Sequence, residues 1–197
     1  DFTLSSDKTY YTLTGIGNTT ETDIYIPAQY QNLPVKAISK SAFEKNTKIA
    51  SVSIPDSVIS IGEKAFYYCS NLANVQLGAG VESIGEYAFY ACTGLTELHI
   101  PASVTDIAAQ AFSYCYNVAE ITADADNSVY AVAGNCLYTK ADKTLVYGCK
   151  ASVIPADGTV TSIGDYAFYG CGYLKSINIP DSVESIGDYA FYSCTNL

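Results

Sequence analysis

Glu97, His99 and Glu120 are the residues of this chain whose types and spacing come nearest to chemistry. The two carboxylates are one repeat period apart, and the only histidine stands two residues along from the first. Imidazole beside paired carboxylates is a donor set that can hold a divalent metal ion. It can do so only where an enclosing shell orients the ligands, and these three are expected on a flat, open sheet face. The reading is therefore a polar surface patch, with no metal and no cofactor.

Other reactive patterns are absent or incomplete. One histidine allows no His-x-x-x-His pair, and no Gly-x-Ser-x-Gly elbow occurs. Gly15-Ile16-Gly17 lacks the third glycine and the strand–helix setting of a dinucleotide loop. Asp124-Ala125-Asp126-Asn127 lacks the spacing and terminal Glu of an EF-hand, and reads as a turn. The chain is expected to be non-catalytic.

The elements that would position these groups follow from one period. Ala-Phe-x-x-Cys recurs at Ala65–Cys69, Ala88–Cys92, Ala111–Cys115, Ala167–Cys171 and Ala190–Cys194. Phe43, Phe66, Phe89 and Phe112 are 23 residues apart, as are Phe168 and Phe191, with one jump of 56 between the two series. A fixed period of that size marks a solenoid, in which each unit buries its apolar face against its neighbours.

The full unit is Ile-Pro-x-Ser-Val-x-x-Ile-Gly-x-x-Ala-Phe-x-x-Cys-x-x-Leu-x-x-Val-x-Ile, complete from Ile54 to Leu77. Its closing alternation predicts a short strand, and successive strands are expected to pair in parallel, roughly 4.8 Å apart. Proline then ends the pairing. Gly62, Gly85, Gly164 and Gly187 predict a tight bend or a positive φ. The segment x-x-Ala-Phe-x-x-Cys-x-x-Leu has helical spacing and predicts a short helix or 3₁₀ turn.

Residues 1–34 are expected to cap the solenoid with β-strands, and residues 35–197 to form it, all as one continuous domain. The jump of 56 predicts a β-hairpin island at about 129–150, protruding from the stack, with its tip near Lys140–Lys143. The chain stops at Leu197 before the strand its last repeat needs, so self-association through an uncapped end, or further repeats, is expected.

Seven cysteines are present, five at one repeat position. Parallel side chains fit disulfide geometry poorly, so buried free thiols are expected, and no bond between Cys136 and Cys149. Twenty acids face ten lysines and no arginine, for a net charge of −10. That balance argues against nucleic acid and against an anionic membrane surface. No apolar run is long enough for membrane insertion.

With these residues in hand, the repeat resembles that of BspA-like leucine-rich-repeat proteins, a bacterial surface class, from about Val35 to Leu197 in six recognisable copies. Phe2–Asp7 and Tyr11–Ile16 resemble that family's N-terminal cap. The resemblance implies a β-rich leucine-rich-repeat solenoid, an extracellular or cell-surface location, and in some members adhesion to host proteins or other cells. It transfers no site residues, because the motif positions are core.

Binding is therefore expected at solvent-facing strand positions: Ser51, Ser53, Asn74, Gln76, Glu97, His99, Glu120, Thr122, Ser176 and Asn178. The partner class is a host extracellular protein or a glycan. Two tyrosine rows, Tyr67, Tyr90, Tyr169 and Tyr192 with Tyr87, Tyr166 and Tyr189, offer aromatic contact area or simply stack over the core edge. The alternative function is a structural spacer or assembly region of a larger surface protein.

Overall fold

The computed structural model describes residues 1–197. Strands β1 (Phe2–Leu4), β2 (Tyr11–Leu13), β3 (Asp23–Tyr25), β4 (Gln29–Tyr30) and β5 (Leu33–Ile38) build the first layers. Each repeat then lays one short strand on each of two faces. These are β6 (Ser51–Ser53) and β7 (Ser60–Ile61), β8 (Asn74–Gln76) and β9 (Ser83–Ile84), and β10 (Glu97–Ile100) and β11 (Asp106–Ile107). After β12 (Glu120–Ala123) come β13 (Tyr130–Ala133), β14 (Cys136–Thr139) and β15 (Thr144–Gly148), then β16 (Ser162–Ile163) and β17 (Ser185–Ile186).

The predicted parallel ladder is present in pieces. One face carries β3-β6-β8 and, separately, β10-β12; the other carries β1-β2-β5-β7-β9-β11. Translation of one unit per layer fixes the core geometry. Phe43, Phe66, Phe89 and Phe112 stack with centroids 4.8, 5.0 and 5.5 Å apart and planes within 6° of parallel. That ring spacing is close to the strand spacing, because both are set by the same rise.

The Ala-Phe-x-x-Cys segments are not helical. Ala65 N–H donates to Gly62 O, Cys69 N–H to Phe66 O and Leu72 N–H to Cys69 O, so the segment is a chain of four-residue β-turns. Those turns place apolar groups on one wall at the spacing that a short helix or 3₁₀ turn would give, so the spacing alone does not separate them. At the third position within the turns, Lys64 and Tyr68 take positive φ, as do Tyr87 and Ala91, Tyr166 and Gly170, and Tyr189 and Ser193. A left-handed residue costs about 1–2 kcal/mol when it is not glycine. In return, alternate N–H groups reach the next layer: Lys64 to Glu86 O, Phe66 to Ala88 O and Tyr68 to Tyr90 O, at 2.7–2.9 Å.

The repeat glycines are needed for space rather than for φ. Gly62, Gly85, Gly164 and Gly187 are absent from the positive-φ positions. A Cβ on Gly62 would lie 2.6 Å from Lys40 N and 2.7 Å from Ser39 C, so the preceding layer's backbone leaves no room for a side chain.

The hairpin does not stand off the solenoid either. β13, β14 and β15 form an antiparallel meander, and β15 pairs in parallel with β16 through Thr144↔Ser162 and Leu145↔Ile163. Its second arm is thus a rung of the stack. Tyr147 fills the phenylalanine slot, 5.5 Å from Phe112, but with its ring tilted 45°. The apolar interior divides here into a larger cluster reaching Leu137 and Cys149 and a smaller one from Cys136 to Ala190.

Candidate functional site

The strand face is built from the two sheets β3-β6-β8 and β10-β12. On β10, Leu98 and Ile100 turn inward and are buried, which forces Glu97 and His99 outward. β12 repeats the pattern, with Ile121 buried and Glu120 and Thr122 exposed. Registration brings Glu97 opposite Glu120 and His99 opposite Thr122. Asn74 and Gln76 on β8 pair with Ser51 and Ser53 on β6, and Ser53 Oγ donates to Gln76 Oε1 at 3.3 Å.

Ser176 and Asn178 are solvent-exposed but lie on no strand, beyond the meander, so they do not extend this array. The hairpin tip is also less free than expected, because Lys140 Nζ donates to Asn127 O at 2.6 Å.

His99 does not turn toward the two glutamates. Its Nδ1 is 3.0 Å from Thr122 Oγ1, and its Nε2 is 3.3 Å from Asp124 Oδ1. Hydroxyl, imidazole and carboxylate in that order would suit nucleophilic catalysis if water were kept out. The His99 and Asp124 side chains are 53% and 47% exposed, so the patch stays wet and its electrostatic effects are weak. No group of three His, Cys, Asp or Glu side chains converges closely enough to hold a metal ion. Asp124 Oδ2 also accepts from Ala102 N–H at 2.9 Å, which ties the patch to the preceding layer.

Two contributors escaped the sequence reading. Tyr25 is 80% exposed and lies in register with Ser53, so an aromatic ring stands at the head of the Ser53–Gln76 row. The signal was available: Asp23-Ile24-Tyr25-Ile26-Pro27 fills the strand slot x-Val-x-Ile-Pro of the repeat. The other is Asp124, whose run Asp124–Asn127 predicts only a turn.

A second surface runs along the turns. Tyr67 and Tyr90 stack at 5.2 Å, Tyr90 and Tyr114 meet at 5.2 Å, Tyr114 and Tyr169 at 5.3 Å, and Tyr169 and Tyr192 at 5.1 Å. The tyrosine row therefore crosses the break without interruption, stacked at its two ends and tilted or edge-on at Tyr114. All seven cysteines are unpaired. No helix of the chain is long and apolar enough to cross a membrane.

The sequence signature of the BspA type leucine rich repeat region matches residues 36–144 and 139–197, in six copies. The fold is similar to that of a T. pallidum leucine rich repeat protein, at 24% identity and a TM-score of 0.65, covering 100% of this chain and 87% of that one. It is similar to a leucine-rich repeat protein from Bacteroides capillosus at 35% identity and a TM-score of 0.56, over 62% of this chain and 92% of that one. It also resembles the pneumococcal vaccine antigen PcpA, at 21% identity and a TM-score of 0.71, over 84% of this chain and 42% of that one. No curated protein matches the sequence.

Proposed function

The chain belongs to the BspA-type leucine-rich-repeat family, and from that premise we propose that it is a non-catalytic binding module of a bacterial cell-surface or secreted protein. The partner is an extracellular host or neighbouring-cell protein, or a glycan, held without chemistry on the outside of the solenoid. The observation that carries this reading is the β10–β12 face. Four polar side chains, Glu97, His99, Glu120 and Thr122, are exposed in register on a rigid two-strand platform. Solenoids present such extended, pre-formed surfaces at little cost in ordering.

Charge supports the same class of partner. A net charge of −10 with no arginine is unsuited to phosphate backbones and favours a neutral or basic protein surface, or a neutral glycan.

The test is a binding screen of the folded protein on arrays of extracellular-matrix proteins and glycans. A saturable hit supports the module reading. A clean negative from protein shown to be folded would turn the assignment toward a spacer that holds another domain away from the cell.

A further inference from the structure

In the four most regular copies, the positions around Ala-Phe carry Gly, then Glu or Asp, then Tyr or Lys, and a Tyr after the Phe. The copy ending at Cys115 has Ala108, Ala109, Gln110 and Ser113 instead. The first copy departs as well, but with the longer side chains Lys40 and Glu44. All four replacements of the Cys115 copy line a single cleft of about 240 Å³. Three of them, Ala109, Gln110 and Ser113, are smaller than what they replace.

The cleft lies where the stack is interrupted. β11 is the last strand of its sheet, and β15, the next rung, pairs with β14 and β16 but not with β11. Residues Ile107 to Ser113 form one wall; Thr144, Val146, Tyr147 and Gly164 to Tyr166 form the other. The open strand edge is blocked in part, since Ile107 N–H donates to Tyr130 Oη at 3.0 Å. That contact takes the donor an added peptide strand would need, and disfavours β-augmentation.

The chemistry of the lining is specific. Phe112, Val146 and Tyr147 give an apolar floor, with the Gln110 amide, the Ser113 and Thr144 hydroxyls and the Asp165 carboxylate around it. Ser113 is only 3% exposed. No lysine is among the lining residues, so an anion finds no counter-charge. Asp165 Oδ1 already accepts from Asp188 N–H at 2.7 Å, which leaves a weak anchor for a cation. The volume lies below the roughly 300 Å³ at which pockets for drug-sized ligands begin.

We propose that this cleft takes one neutral sugar residue of a glycan. A pyranose has an apolar C–H face and a hydroxyl edge, and the cleft offers an apolar floor and a rim of hydrogen-bond donors and acceptors. The site is on the other sheet from β10–β12 and does not depend on the strand-face reading.

The test is saturation-transfer-difference NMR with the methyl glycosides of glucose, galactose, mannose and N-acetylglucosamine. The wild type is compared with Ala109→Glu and Ser113→Tyr, which restore side chains of the other copies. At least one glycoside binds the wild type with Kd on the order of a millimolar, and each variant weakens it about tenfold or more. Ala109 is solvent-exposed, so its variant keeps the fold even if the one at buried Ser113 does not. Lys8→Ala, at an exposed turn of the N-terminal cap, leaves the glycoside signal unchanged; the two cleft variants leave the strand face intact, so failure here and failure of the strand face are separable. The proposal is overturned if no glycoside gives saturable binding or if binding survives Ala109→Glu intact. It is equally overturned if N-acetyl-lysine amide binds in the glycosides' place.

Discussion

The Cys92 thiol lies 3.1 Å from the carbonyl oxygen of Phe66 in the preceding layer and donates to it. Cys69 to Phe43, Cys115 to Phe89 and Cys194 to Phe168 repeat the contact at 3.0–3.2 Å. Four of the five ladder cysteines therefore cap a carbonyl of the layer before them, Cys171 beside the break being the exception. Cysteine suits the slot because it is a small apolar group that still carries one weak donor.

Native thiols of the ladder should resist alkylation. Burial pushes Cys69, Cys115 and Cys171 up to about 12 and raises Cys194 as well. Only the thiolate is nucleophilic. With iodoacetamide at about pH 8 followed by peptide mass mapping, Cys194, half-buried in the last layer, should label first and Cys92 last. Rapid labelling of Cys92 in folded protein would show that its layer opens freely.

The same groups predict alkaline instability. The folded chain holds its thiol protons after the unfolded chain has released them, since the ordinary value is 9.0 and the buried ones reach about 12. The stabilisation is complete below about pH 9 and is lost as the pH rises from there toward 12. Tyr147, whose phenol burial also raises, adds to the loss at the upper end. Melting temperatures should be level from about pH 6 to 8 and fall above 9; a level profile to pH 11 contradicts the buried ladder.

Gly148 is one of the tight points of the break. A Cβ there would sit 2.1 Å from Phe168 Cε1, so Gly148→Ala should cost about 2–3 kcal/mol through forced repacking. Gly158, at φ +80° with nothing within 4 Å of an added Cβ, should lose only about 1–2 kcal/mol from backbone strain. Urea unfolding of both variants measures the order, and the reverse order would mean that β15 is not seated against Phe168.

Asn127 is fully buried and uses all of its hydrogen-bonding capacity. Its Nδ2 donates to Pro101 O and Val104 O, and its Oδ1 accepts from Val129 and Tyr130 N–H. Asn127→Ala should cost about 3 kcal/mol or more, from several orphaned buried groups. Asn127→Asp should not rescue it, because a carboxylate would face two carbonyls. Equal stability of the Asp variant and the wild type in chemical denaturation would remove the donor role.

The period made the solenoid, its parallel strands and its outward strand residues legible, because apolar spacing reports directly which positions face inward. It could not tell turns from a helix, since Ala65, Phe66, Cys69 and Leu72 fall on one wall in either case. The repeat glycines showed that something was required at Gly62 but not whether it was φ or space. Asn127 looked like part of an acidic turn, and its role depends on carbonyls 23 and 26 residues away. The break was visible as a change of spacing, yet its integration through β15 and Tyr147 rests on contacts between layers that no local pattern records.

The most direct test of the strand-face account is to measure the best array ligand against the triple variant Glu97→Ala, His99→Ala, Glu120→Ala, with its melting temperature alongside. All three side chains are exposed, so the melting temperature should stay within a few degrees while affinity falls about tenfold or more, as for removal of a central contact cluster. Undiminished affinity would place the binding elsewhere on the solenoid, and a variant that unfolds would show that these residues serve the fold rather than a partner.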